Sequence, residues 1–245
     1  MEIKLLVRAD KMTEATKILE LAARPAIKQI VCFFDTTNGT LAARGLILRA
    51  RQRAGSPGDS TVKMRTTGDT GELSKLEQSI KPETDWTRET DPSTSRSMDN
   101  SALPDGLVRQ VAQGGAVAKK LFKKEQRRLV EARIKDFDWG GLKCYGPIQA
   151  EVWEQSFKLK IFPDAVTVER WHMTKETRTL DILEVSAKAR VQTAAEGKEL
   201  VKQFYKATEE AGLGRPGGRS KTQIVLDFFK PGWHPAFEAA SPDGN

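Results

Sequence analysis

Residues 33–53 read FFDTTNGTLAARGLILRARQR, and the end of this stretch alternates apolar and basic side chains. Successive side chains of a β-strand point to opposite faces, so the arginines from Gly45 to Arg53 share one face and the leucines share the other. The run QIVCFFD at residues 29–35 is β-branched and aromatic, and a turn follows at Asn38-Gly39. The stretch therefore predicts two strands, the second of which has one cationic face. Its arginines are Arg49, Arg51 and Arg53.

Further predicted strands carry similar charged stripes. The residues that share a face are Lys63 with Arg65, Lys75 with Glu77 and Ser79, and Glu184 with Ser186 and Lys188. An antiparallel sheet commonly exposes one charged face to water, so alternation alone leaves open whether these stripes face solvent or one another. The mixture favours the second arrangement, because cations beside isolated carboxylates can hold a metal ion together with a polyphosphate. The carboxylates are those of Glu2, Glu77 and Glu184.

The rest of the chain is predicted to be mainly strand with a few helices. Hydrophobic spacing predicts helices over Thr13 to Ala23, Leu107 to Gln113 and Thr193 to Ala211. The other predicted strands are Glu2 to Val7, Ser60 to Thr66, Leu73 to Ile80, Ala118 to Lys135, Gln149 to Lys158, Val166 to Thr174, Thr179 to Arg190 and Thr222 to Phe229. A meander of antiparallel strands is the simplest arrangement of the first half.

One domain is expected over residues 1–232. The polar segment from Lys81 to Pro104 is rich in Ser, Thr, Asp and Pro, which predicts a long loop or insertion. Its part at 87–104 would join two halves, at about residues 1–86 and 105–232. Residues 233–245 contain Pro, Gly and Ser, and we expect a flexible tail there.

Composition favours an anionic partner and excludes several kinds of site. The 245 residues include 40 Lys and Arg against 33 Asp and Glu, a formal net charge of +7. The only histidines are His172 and His234, too few for a zinc cluster, and a Ser-His-Asp triad is not indicated. Cys32 and Cys144 are predicted to be free, packed thiols in a reducing compartment. No apolar run is long enough to cross a membrane, and the charged N-terminus is unlike a signal peptide, so we expect a cytoplasmic protein.

Two basic runs admit a simple structural interpretation beside a functional one. GLGRPGGRSK at residues 212–221 lacks the order of a phosphate-binding P-loop and follows a helix, which favours a helix stop. KKLFKKEQRR at residues 119–128 could contact nucleic acid, but it has no interleaved aromatic residues, and a solvated charged face is the commoner meaning.

The most specific signal is a resemblance to a known family. The block at residues 33–53, followed by TVKMR, KLEQSIK and LEVSAK, resembles the CYTH superfamily, also called triphosphate tunnel metalloenzymes. The resemblance runs from Glu2 to about Phe229. It implies an α+β, mainly antiparallel fold: a closed eight-stranded β-barrel, or tunnel, with helices packed outside. Family members bind triphosphate in the lumen, with metal held by glutamates, and include inorganic, RNA 5′- and thiamine triphosphatases and a class of adenylate cyclase.

The resemblance assigns individual positions. The N-terminal ExExK motif of the family falls on MEIKL, which gives Glu2 and Lys4 and leaves its first glutamate without a counterpart. A late ExE pair falls on Glu184 and Ser186, so the second carboxylate is absent. The remaining matches are Arg49 and Arg51, Lys63, Lys75 with Glu77, Arg128 (or Arg127 after a one-residue slip) and Lys221.

These matches imply metal-dependent hydrolysis of a triphosphate. Glu2, Glu77 and Glu184 would bind Mg²⁺ or Mn²⁺, and Glu2, Lys4 and Glu77 would take part in catalysis. The predicted phosphate-binding residues are Lys4, Arg49, Arg51, Lys63, Arg65, Lys75, Arg128, Lys188 and Lys221. Two alternatives stay open: a binding module for polyphosphate or nucleotide that has lost catalysis, and an adenylate cyclase of class IV type. The expected partner is a small triphosphate or polyphosphate, with an RNA 5′ end as the alternative, and the expected state is a monomer or homodimer.

Overall fold

Nine β-strands close into one barrel in the computed structural model, which describes residues 1–66, 75–88, 90, 92–157, 166–215 and 220–230. The strands are β1 (Glu2–Val7), β2 (Ile27–Thr36), β3 (Leu46–Arg53), β4 (Gly58–Thr66), β5 (Pro82–Trp86), β6 (Pro92–Leu103), β7 (Leu142–Phe157), β8 (Val166–Lys175) and β9 (Arg178–Lys188). Their order around the barrel is β1-β5-β6-β4-β3-β2-β7-β8-β9. The short parallel pair β1–β5 makes the sheet mixed, while the other pairs are antiparallel.

Seven α-helices accompany the barrel in the described residues. They are α1 (Met12–Ile18), α2 (Thr40–Ala43), α3 (Lys75–Gln78), α4 (Leu107–Ala112), α5 (Lys124–Arg133), α6 (Ala194–Glu210) and α7 (Lys221–Phe229). The predicted helix at Thr193 to Ala211 is confirmed as α6, and the Thr193 hydroxyl caps its first turn by accepting from Glu196 N at 3.1 Å. None of these helices combines the length and apolarity that a membrane crossing requires.

Two helical layers cover the outside of the barrel. Phe204 and Tyr205 of α6 pack against Ile3 and Leu5, which lie on the outer face of β1. On another side, Leu129 of α5 and Val108 of α4 belong to the apolar cluster that covers the outer faces of β3 and β4. Each such buried side chain contributes roughly 1.5–3 kcal/mol, so the helices hold the strands in a closed ring.

Helix α7 is packed differently, because it meets the lumen side of the barrel. Its apolar residues Val225, Leu226 and Phe228 share a buried cluster with Phe33 and Trp171, which point into the barrel. The predicted strand from Thr222 to Phe229 was therefore wrong. The Ser220 hydroxyl accepts from Gln223 N at 3.3 Å and starts a helix that closes one end of the lumen.

Other predictions about local structure also need correction. The segment from Lys81 to Pro104 is not a loop, because it supplies β5 and β6. The polar strand β6 pairs with β4 on one side and β5 on the other, so backbone pairing, rather than an apolar stripe, defines it. The barrel has nine strands instead of the eight that the resemblance implied.

Two further predicted strands are helical where they are described. Residues Ala118 to Lys135 form a short 3₁₀ turn followed by α5, because Gln126, Leu129 and Val130 are buried with the three- and four-residue spacing of a helix. The described part of the predicted strand from Leu73 to Ile80 contains α3 rather than a strand, and residues 73 and 74, like the predicted turn at residues 68–71, lie outside the described residues.

Candidate active site in the barrel lumen

The lumen contains a cavity of about 570 Å³ that is lined by inward residues of all nine strands and by the first residues of α7. Its eight cationic residues are Lys4, Arg49, Arg51, Arg53, Lys63, Arg65, Lys188 and Lys221. Its seven acidic residues are Glu2, Glu83, Asp85, Asp99, Glu154, Glu169 and Glu184. The charged stripes therefore face one another across the barrel. The near balance of charge means that the cations are partly neutralised by neighbours even without ligand.

The structure brings together most of the residues that the sequence assigned to the site. Those that line the cavity are Glu2, Lys4, Arg49, Arg51, Lys63, Arg65, Glu184, Lys188 and Lys221. Lys75, Glu77 and Arg128 are not among its lining residues. Lys75 is exposed on α3, and Glu77 is buried against Arg133, whose Nε donates to Glu77 Oε1 at 2.6 Å. Arg128 is exposed on α5, and Arg127, its alternative, donates to the carbonyl of Phe122.

Several acidic residues of the lumen had no place in the sequence interpretation. Glu83 and Asp85 lie on the lumen face of β5. The polar composition of this segment led to its prediction as a loop. Glu169 lies on β8, where the alternation of VTVERW could have revealed an inward glutamate between Thr167 and Trp171. These residues supply the carboxylates that Glu77 and Ser186 do not provide.

The first acidic group surrounds Lys4 of β1. Lys4 Nζ lies 2.9 Å from Glu2 Oε2 and 3.1 Å from Asp85 Oδ1, and Lys63 Nζ donates to the other oxygen of Asp85. Burial opposes the charge of Lys4, but Glu2, Asp85 and Glu184 outweigh it and raise the pKa of this lysine. Burial also favours neutral Asp85, yet Lys4 and Lys63 lower the pKa of its carboxyl. These contacts favour the charged forms of Lys4 and Asp85.

The second acidic group is a pair of glutamates that face each other on neighbouring strands. Glu169 of β8 and Glu184 of β9 occupy opposed positions, and Lys221 of α7 contacts both, with 2.7 Å to Glu184 Oε1. The same ammonium lies 4.0 Å from the ring centroid of Trp171. Burial favours the neutral acid, but Lys221, Arg49 and Arg51 lower the pKa of Glu169 to about 2. Burial dominates at Glu184 and raises the pKa of that carboxyl.

Arg49 of β3 has a buried hydrogen-bond donor without an acceptor among the described residues. Its Nη2 donates to Thr61 Oγ1 at 3.2 Å, but its buried Nε has no acceptor among the described residues. Burial and neighbouring Arg51 lower the pKa of the Arg49 guanidinium. Arg51 itself is paired, because its Nε donates to Asp59 at 3.0 Å. A buried donor without an acceptor destabilises the folded protein. An oxyanion that accepted a hydrogen bond from Arg49 would therefore remove this unfavourable contribution.

The lumen contains pairs of carboxylates whose oxygens can bind a divalent cation. Within the described ranges, no three acidic, histidine or cysteine residues converge closely enough to hold a metal ion by themselves. The pairs are Glu169 with Glu184 and Glu2 with Asp85, and in each pair one lysine contacts both carboxylates. Mg²⁺ is commonly held by one or two carboxylates together with substrate phosphates and water, so such pairs fit a cation that binds with a phosphorylated ligand.

The lowered pKa of Glu169 predicts that the protein loses stability in acid. Its folded pKa of about 2 lies below the ordinary value near 4.3, so its stabilising effect is complete above the ordinary value and is lost as pH falls toward 2. Glu184 acts with opposite sign because its pKa is raised. We expect Glu169→Gln to flatten the decline in unfolding free energy from about pH 5 to pH 2, measured by urea denaturation. An unchanged or steeper decline would contradict the role of this ion pair.

Comparison with known proteins supports the fold. No protein-family model matches the sequence, and no curated protein matches it. A candidate adenylyl cyclase from Hippeastrum, described as having a dominant triphosphatase activity, is 19% identical with a TM-score of 0.57, and the match covers 96% of this chain and 97% of that chain. A candidate adenylate cyclase from Bacillus halodurans is 12% identical with a TM-score of 0.55, over 91% of this chain and 95% of that chain. The predicted resemblance is therefore confirmed at the level of the fold, because the chain shares its barrel with these two solved structures.

Proposed function

We propose that the protein hydrolyses a triphosphate in the barrel lumen with the help of Mg²⁺ or Mn²⁺. The observation that carries this proposal is Arg49, whose buried Nε has no acceptor among the described residues, in the same lumen as two carboxylate pairs. Arg49 would bind an oxyanion of the substrate. The carboxylate pairs would provide oxygen ligands for a divalent cation that accompanies the phosphates. The described triphosphatase activity of the Hippeastrum protein supports the same class of reaction.

The charge distribution suits a chain of phosphates. A triphosphate carries about four negative charges near neutral pH, and phosphoryl transfer needs mainly positioning and neutralisation from the protein. Arg49 and Arg51 lie on the same face of β3, while Lys63 lies on the lumen side of β4, the strand paired with β3. The arginines can contact two phosphate oxygens at once, and the lysine acts as a point charge. The three cations would therefore hold one end of the chain.

The carboxylate pairs would hold the divalent cation. Glu169 and Glu184 are our first choice, because they lie on opposed positions of β8 and β9. Ser186 occupies the place of the second glutamate of the family motif, so Glu169 would provide that carboxylate from the neighbouring strand. When bound, the metal ion would neutralise phosphate charge and lower the pKa of a coordinated water. Lys221 contacts both glutamates and would shift its ammonium from the carboxylates to the phosphates.

Release of inorganic phosphate from tripolyphosphate tests the proposal. We expect the wild type to release phosphate in the presence of Mg²⁺ or Mn²⁺, and we expect the double variant Glu169→Gln/Glu184→Gln to lose about two orders of magnitude in rate, as when a metal ligand is removed. The variant Glu125→Gln is the matched control, because it neutralises an exposed carboxylate outside the cavity.

Two outcomes would redirect the assignment. Tripolyphosphate binding without metal-dependent phosphate release would favour the binding module, which is supported by the absence of a carboxylate at Ser186 and by the position of Glu77 outside the cavity. Formation of cyclic AMP from ATP in place of phosphate release would favour the cyclase. That alternative is supported by the described names of both structural neighbours.

A further inference from the structure

The ammonium of Lys221 lies between the two glutamates that we propose as ligands of the divalent cation. It contacts Glu169 Oε2 and lies 2.7 Å from Glu184 Oε1. Glu169 Oε2 also accepts from Trp171 Nε1 at 3.0 Å, and the centroid of the Trp171 ring lies 4.0 Å from the same ammonium. Mg²⁺ and Mn²⁺ bind carboxylate oxygens of this kind. Lys221 therefore engages the carboxylates that a metal ion would need.

The ammonium and a divalent cation would compete for this glutamate pair. Lys221 engages one oxygen of each carboxylate. A metal ion on the remaining oxygens would lie within a few ångströms of the ammonium, and like charges at that separation repel strongly where water is scarce. The side chain of Lys221 is only 12% exposed, so solvent ions screen this repulsion little. Tight metal binding therefore requires the ammonium to move away.

The side chain of Lys221 can move although its helix is fixed. The first turn of α7 is anchored at Ser220, whose hydroxyl accepts from Arg65 Nη2 at 3.0 Å. A lysine ammonium, by contrast, ends a flexible four-carbon chain. The proposed phosphate site is close, because Arg49 acts on the same carboxylate and helps to lower the pKa of Glu169. A triphosphate bound at Arg49 would therefore give the ammonium another anionic partner within the lumen.

We propose that Lys221 keeps the metal site occupied until a triphosphate binds, so that metal and triphosphate bind with positive coupling. This inference rests on the proposed function. Without ligand, the ammonium binds Glu169 and Glu184; with triphosphate bound, it moves to the phosphates and leaves both carboxylates to the metal ion. By thermodynamic reciprocity, each ligand then raises the affinity for the other. Lys4 does not take over this role, because its ammonium is engaged by the other carboxylate pair.

Mn²⁺ binding in the absence of phosphate tests this inference, and electron paramagnetic resonance distinguishes free from bound Mn²⁺. Lys221→Met removes the charge and keeps a flexible side chain that can pack against Trp171. At about pH 8, where carboxylates are ionised, this variant is expected to bind Mn²⁺ at least about tenfold more tightly than the wild type. Its affinity for tripolyphosphate without metal, measured by calorimetry, should fall by about tenfold, because a hydrogen bond to a charged group is lost. A merely structural role would not change the two affinities in opposite directions.

Further variants separate the effect of Lys221 from that of overall charge. Lys188→Met is the matched control, because Lys188 also lines the cavity and forms no ion pair within the described part of the chain. It should change the Mn²⁺ affinity by less than roughly threefold, since an exposed charge is screened. Addition of Glu169→Gln to Lys221→Met should abolish the gain, which would assign the bound ion to this pair. Lys221→Gln is a second neutral variant for the same measurement if Lys221→Met folds poorly.

The possible results separate this inference from the proposed function. Equal Mn²⁺ affinities in the wild type, Lys221→Met and Lys221→Gln would overturn the role of Lys221, while Mn²⁺ binding that still depended on Glu169 would leave the metal site intact. A gain in Lys188→Met as large as that in Lys221→Met would also overturn it, because the overall charge of the lumen would then control metal binding. Absence of Mn²⁺ binding in every variant, with or without tripolyphosphate, would overturn the metal site and the proposed function with it.

Discussion

Replacement of Arg49 by alanine is expected to lower the affinity of the protein for tripolyphosphate by roughly 10- to 100-fold, the equivalent of one or two hydrogen bonds to a charged group. The reason is local. Arg49 lines the lumen and its buried Nε has no acceptor among the described residues, so we expect ligand binding to satisfy hydrogen-bond donors of this guanidinium. Arg51 shares its face but already donates to Asp59, so Arg51→Ala should cost less.

Isothermal titration calorimetry measures this affinity, with Arg128→Ala as the matched control for the loss of one positive charge. Arg128 is exposed on α5, and the variant that lacks it should bind tripolyphosphate as the wild type does. Thermal unfolding of each variant without ligand shows whether the fold is intact. Equal losses in Arg49→Ala and Arg128→Ala would mean that long-range attraction, rather than a site at Arg49, holds the ligand.

The charged faces of β3, β4 and β9 could be predicted because charged and apolar side chains alternate along these strands with a period of two residues. Arg49, Lys63 and Glu184 each follow this period within a strand that is apolar on its other face, and all three reach the lumen. Alternation was enough to predict which side chains share a face, but not that this face points inward. The closure of the barrel came from the family resemblance, since alternation alone is also compatible with an open sheet whose charged face meets water.

The errors arose where this period was absent or ambiguous. Glu83 and Asp85 lie on a short polar strand whose pairing with β1 involves residues distant in sequence. The chain around Arg128 suits a strand in its charge pattern, but Leu129 and Val130 are adjacent and both buried, which only a helix allows against a single surface. Lys221 was expected to precede a strand that begins at Thr222, but it is the first residue of α7 and lines the lumen from there.

Replacement of Glu77 by alanine is expected to lower the free energy of unfolding by about 3 kcal/mol, because it leaves a buried cation without its carboxylate. The side chains of Glu77 and Arg133 are 5% and 11% exposed, and the Nη1 of Arg133 donates to the carbonyls of Arg44 and Arg65. These carbonyls alone do not neutralise the guanidinium. Urea denaturation measures the loss, and Lys75→Ala on the same helix is the control, since exposed Lys75 should contribute less than about 1 kcal/mol.

The double variant Glu77→Leu/Arg133→Met distinguishes a structural ion pair from a metal ligand. Removal of both charges avoids the unpaired cation, so the double variant should be more stable than Glu77→Ala. Glu77 lies outside the cavity, and folded Glu77→Ala should therefore keep both its affinity for tripolyphosphate and its metal dependence. A stable Glu77→Ala protein that needed much more Mg²⁺ or Mn²⁺ would instead place this carboxylate at the metal, because loss of a true ligand weakens metal binding without unfolding the barrel.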